Sequence, residues 1–131
     1  MTEEVTIADE TLLYRWVSRD EIVKDDNIGR FRPSSNAFQK TTGTDRMSVV
    51  LGDTLEDAGR NPMELADELK TAASLTVGFV RSCEQVVVRR PIAEEPAHGD
   101  VVGSDSKALR TKLACEAVCI EGDWEAARLA R

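Results

Sequence analysis

The chain has 131 residues, of which 41% are apolar and 5% aromatic, and a formal charge of −7. That length fits one domain (1–131) with a real core and is too short for two ordinary ones, while the apolar share excludes disorder and the charge argues against general affinity for nucleic acid. No window reaches the roughly eighteen apolar residues of a membrane span, and the acidic start MTEEVTIADE is unlike a signal peptide, so a cytoplasmic location without a membrane partner is expected.

In chain order, residues 1–10 read as a flexible N-terminal segment and TLLYRWV as a first strand. Ser18 and Glu21 stand at capping-box spacing for a short helical turn ending before Lys24. From KDDNIGRFRPSS the chain turns polar, with Asn27, Gly29 and Pro33 as punctuation, which predicts a surface loop. SSNAFQK predicts one helical turn, and MSVVL a second strand.

Asn61 at the N-cap, Pro62 at the first helical position and Glu64 predict a helix through Lys70, with Met63, Leu65, Ala66 and Leu69 as its apolar stripe. SLTVGFV and QVVVRR predict two further strands. The unbroken Val86, Val87 and Val88 suggest that the second is covered on both faces, and Pro91 ends it. After the acidic loop PIAEEPAHGD, DVVG predicts a brief strand. Ser104 or Ser106 then caps a helix from Lys107 to about Val118, with Leu109, Leu113 and Ala117 on one face. WEAARLAR predicts a last helical turn with Trp124 packed onto the body.

Clustered strands without regular alternation of strand and helix point to an α+β fold: a single mixed or antiparallel sheet of four to five short strands with two main helices. The expected core is Leu13, Val49, Leu51, Leu65, Leu69, Val77, Phe79, Val87, Leu109 and Leu113.

The segment from Arg15 to Arg46 carries seven basic and five acidic residues, a local +2 that leaves −9 elsewhere. Within it, GRFRPSSNAF concentrates anion-binding chemistry. The forks of Arg30 and Arg32, the hydroxyls of Ser34 and Ser35, and the free amides of a helical turn would together suit a phosphate, a carboxylate or a nucleotide. The commoner arrangement is an ordinary serine N-cap beside a solvated arginine, and the sequence leaves both open.

The order RPSSNAF, MSVVL, the pair SLTVGFV and QVVVRR, then EEPAHGDVVG resembles a group of small uncharacterised bacterial proteins. In that group an Arg-Pro-Ser-Ser-x-Ala-Phe segment precedes Met/Leu-Ser-Val, and a late Pro-x-His stands before a strand. The resemblance covers Tyr14 to about Val102, rests mainly on its first segment, and implies no catalytic roles.

His98 is the only histidine and the natural candidate for a general acid or base, although a lone histidine in an acidic loop is more often structural. If it meets Arg32, Ser34 and Ser35, polar transfer at a phosphate or glycosidic centre follows, with Ser35 or Ser34 binding or attacking. An ADP-ribosyltransferase-like site, with Arg15 on an early strand and Ser48 on a later one, lacks a glutamate that spacing can nominate. Cys83, Cys115 and Cys119 have no zinc-type pairing, so no metal and no cofactor are expected.

Two functions compete. One is a small accessory module binding a protein partner, of the kind found in bacterial toxin, defence or secretion systems. The other is a phosphate- or nucleotide-handling enzyme or sensor with a small anionic ligand near Arg32.

Overall fold

The computed structural model describes residues 7–120, and the expected last turn at 124–131, with Trp124, lies outside the described residues. The protein is mixed α and β, built on an antiparallel sheet of six strands in the order β6-β7-β4-β1-β5-β8, with a separate two-stranded sheet, β2-β3. The six strands are β1 (Leu12–Ser18), β4 (Arg46–Leu51), β5 (Lys70–Thr76), β6 (Val86–Arg89), β7 (His98–Val102) and β8 (Val118–Cys119). The hairpin consists of β2 (Ile22–Asp25) and β3 (Arg30–Pro33), and the α-helices are α1 (Gly52–Asp57), α2 (Val77–Ser82) and α3 (Lys107–Glu116). Six strands exceed the four to five expected.

Alternation along the strands divides the core between the sheet's two faces. Leu13, Val17, Met47, Val49, Leu51, Leu75, Val87 and Val101 face α2, α3 and the turn holding Phe38. Tyr14, Val50 and Ala72 face Leu55, Leu65 and Ala97 on the other side, with Trp16 and Ile120 packed against them.

The predicted loop at 24–35 is instead largely the β2-β3 hairpin, because its punctuation closes a turn. Asp25 Oδ1 accepts from Asn27 N, Gly29 N donates to Asp25 O at 2.9 Å, and Gly29 takes φ +72°, a conformation open to glycine. At the other end, the two strands pair Ile22 with Pro33. The predicted turn at Ser18 forms as a 3₁₀ turn (Arg19–Glu21), without a side-chain cap from Ser18.

The helix predicted from Asn61 to Lys70 shrinks to a 3₁₀ turn, Pro62–Leu65. Asn61 does cap it, accepting from Met63 N, but the Asp67 carboxylate accepts from both Leu69 N and Lys70 N and turns the chain into β5. A local side-chain bond thus competes successfully with helix propagation. Leu69, expected in the core, is 76% exposed. SLTVGFV is likewise not one strand: Thr76 Oγ1 accepts from Phe79 N, capping α2, so Val77 to Val80 are helical.

QVVVRR forms β6, but at the sheet edge rather than in the middle, and Val86 is 58% exposed. The last predicted strand begins two residues early, at His98. Ser106 rather than Ser104 caps α3 by accepting from Leu109 N, and α3 ends at Glu116, so that Val118 opens β8. Helix α1 has no counterpart among the predicted elements. No described helix is long and apolar enough to cross a membrane.

Candidate functional site

The residues expected to hold an anion are each engaged by a neighbouring element. Arg30 donates through Nη1 to Ala117 O at 2.9 Å and through Nη2 to Cys115 O at 2.5 Å, closing the C-terminal end of α3. A cation there also faces the negative end of the helix dipole. Arg32 pairs with Asp25 across the hairpin at 2.7 Å and donates to Pro33 O. This bond to Arg32 holds the Asp25 carboxyl below the usual range.

Ser34 precedes the 3₁₀ turn Ser35–Phe38 without a side-chain cap, while its amide donates to Glu21 O at 2.6 Å. Ser35 Oγ shares a hydrogen bond with Thr111 Oγ1 on α3 at 3.0 Å. His98 lies on β7, opposite Val50 of β4. Its Nδ1 donates to Arg90 O at 2.8 Å, and its Nε2 stands 3.9 Å from Asp100. Arg46 and Arg90 also converge on Asp100. Among the described residues, no hydrogen bond or ion pair links His98 to Arg32, Ser34 or Ser35.

Several polar groupings come from parts of the chain that sequence spacing does not connect. Arg60 clasps both oxygens of Glu95 and also holds Glu64. Arg89 of β6 pairs with Asp53 of α1. Lys40, 5% exposed, donates from Nζ to Gln85 Oε1 at 2.7 Å and to Ser104 O at 3.3 Å, and burial pulls its pKa down. These partners stand about 35 to 65 residues apart, so the tertiary fold rather than local spacing brings them together. No cluster of three or more described His, Cys, Asp or Glu residues is arranged to hold a metal.

A further grouping surrounds Arg15. β1 pairs with β4 only at Leu13↔Leu51 and Tyr14↔Val50, although its pairing with β5 continues to Ser18↔Lys70. Beyond Tyr14 the pairing with β4 stops, and Arg15 bridges the gap by donating from Nη1 to Ser48 O at 2.9 Å and from Nε to Ala37 O at 3.0 Å. Arg15, Trp16, Arg60, Leu65, Lys70 and Glu95 all border a groove of about 650 Å³.

Compared with protein-family models, curated proteins and solved structures, the chain finds no match.

Proposed function

We propose that the protein is a non-catalytic partner-binding module that adds an extended, acidic segment of another protein as a strand along β6. The observation that supports this most directly is the free edge of that strand. Arg90 N donates to His98 O, and the pairing alternates from there, so Val88 and Val86 bond to β7 while the backbone groups of Val87 and Arg89 point away from it. Among the described residues no strand lies beyond β6.

Strand addition uses such outward groups for affinity and alternate side chains for selectivity. Val86, Val88 and Val102 share one face of this edge by register. Arg90 and Arg46, 59% and 46% exposed at their side chains, converge on the carboxylate of Asp100, and Arg46 also stands 4.0 Å from Asp45, which places two exposed guanidiniums along this face. An incoming strand with alternating apolar and acidic residues complements that face.

The test uses a set of alternating acidic-apolar peptides and a native pull-down, with the wild type, Val86→Lys and Arg90→Glu compared at matched melting temperature. Support requires a peptide and a partner that bind the wild type and are lost from both variants. Retention by the variants, recovery of nothing in repeated trials, or a self-associated dimer broken by the same substitutions would each overturn the proposal.

A further inference from the structure

Away from the β6 edge, a groove of about 340 Å³ lies where α1 meets the start of β1, a volume in the range of small-molecule sites. Leu12 and Tyr14, two residues apart, point to the same face of β1. Gly52, Asp53 and Glu56 of α1 border the groove with them, and Glu10 joins from the segment ahead of the strand. Gly52 sets the spacing. A Cβ there would stand 2.7 Å from Leu12 O and 3.2 Å from Tyr14 Cε2, so the start of the helix lies directly on the tyrosine ring.

The charged side chains bordering this groove are all acidic. Asp53 is neutralised by Arg89, but neither Glu10 nor Glu56 forms an ion pair among the described residues, which leaves two uncompensated carboxylates from two different elements. Exposed acids alone are ordinary on a chain of charge −7. The phenol beside them is not ordinary. Tyr14 is 7% exposed and belongs to the cluster of Val50 and Leu55, yet its hydroxyl forms no hydrogen bond among the described residues. Buried tyrosine hydroxyls usually find a partner, because an unpaired one loses its hydration with nothing in return. Among the described residues, the polar side-chain atoms both sealed from water and unpartnered are Thr71 Oγ1 and Arg89 Nε. The Tyr14 hydroxyl is therefore open to solvent, and its ring meets solvent at the groove. Burial raises its pKa, so at neutral pH it stays protonated and offers its oxygen lone pairs to a donor.

We propose that this groove binds a short alkyl diamine, its two ammonium groups at Glu10 and Glu56, one of them also donating to the Tyr14 hydroxyl, and its carbon chain against Leu12. An organic cation suits the site better than a metal ion. No described group of three or more His, Cys, Asp or Glu is arranged to hold a metal, and the exposed Leu12 gives a hydrated ion nothing to bind.

The test is calorimetric titration of the full chain with 1,4-diaminobutane, alongside n-butylamine, which carries one charge, and Mg²⁺, which carries two without a chain. The expected result is saturable binding of the diamine within about 10 mM, at least tenfold tighter than either control. Glu56→Gln, at an exposed position, should weaken it tenfold or more. Tyr14→Phe removes only the oxygen, and with no internal bond to lose it should keep the wild-type melting temperature while weakening the diamine fivefold or more. Glu68→Gln removes the same charge from an exposed position outside the groove and should leave binding unchanged. No heat up to about 10 mM diamine, Mg²⁺ binding equally well, or affinity that survives Tyr14→Phe would each overturn the proposal. So would a lowered melting temperature for Tyr14→Phe, which would mean that the hydroxyl is already engaged inside the protein.

Discussion

Arg60 holds Glu95 through both carboxylate oxygens, at 2.5 and 2.7 Å, across 35 residues of sequence. Glu95 also accepts from Ala97 N at 3.1 Å, two residues before β7 begins. The clasp therefore ties the segment after α1 to the loop that feeds the centre of the sheet. Removing the charge from Glu95 leaves a fork with one remaining acid, Glu64, and weakens charge-assisted bonds that are only partly screened by water. Glu95→Gln should cost about 2 kcal/mol in urea denaturation at neutral pH. Unchanged stability would show that the pair is ornamental.

The same clasp sets how the protein responds to acid. The bond to Arg60 holds the Glu95 carboxyl below the usual range, the bond to Arg89 does so for Asp53, and backbone amides of Lys70 and Leu69 do so for Asp67. Because each folded-state pKa lies below its unfolded value, the unfolded chain binds more protons between the two. These groups therefore contribute stability above the unfolded carboxylate pKa, and that stability is lost as pH falls through the folded values. The urea midpoint should decline below about pH 5, and Glu95→Gln should make the decline shallower. Equal slopes for the two proteins would remove Glu95 from the acid response.

Ser35, singled out by sequence as a possible nucleophile or anion ligand, shares a hydrogen bond with Thr111 and so joins the 3₁₀ turn to α3. Ser35→Ala should destabilise the protein by about 1 kcal/mol. In a double-mutant cycle with Thr111→Val, most of that cost should disappear when the partner is already gone. Ser34→Ala removes no side-chain cap and should cost less. Additive effects of Ser35→Ala and Thr111→Val would show that the bond contributes nothing.

The elements legible in the sequence were those specified by their own residues: β1 and β4 by apolar content, α3 by a serine cap and an apolar face, and β6 by its valine run. Where a strand sits in a sheet is a different kind of information. Three consecutive valines look alike on a covered strand and on the edge that β6 occupies, because coverage depends on distant β7 and on what lies beyond. The site residues show the same division. Arg30 and Ser35 were conspicuous locally, but their partners, Ala117 and Thr111, are 87 and 76 positions away. Arg15 owes its character to the place where β1 stops pairing with β4, which nothing in TLLYRWV announces.

The segment from Asn61 to Lys70 shows how one local bond can overrule a good pattern. Its cap, its proline and its apolar spacing all favour a helix, yet that register would be needed to bring Leu69 inward along with Leu65. The Asp67 carboxylate instead gathers the amides of Leu69 and Lys70, both at 2.8 Å, and the chain leaves the turn extended. Leu65 remains at 9% exposure against Tyr14 and Leu55, and Leu69 stands in water at 76%. Two chemically identical substitutions should therefore separate. Leu65→Ala should cost about 2 kcal/mol through lost burial and a residual cavity, and Leu69→Ala should stay within about 0.5 kcal/mol of wild type. If Leu69→Ala were as damaging as Leu65→Ala, Leu69 would belong to the core in solution, and the extended path from Asp67 into β5 would be wrong.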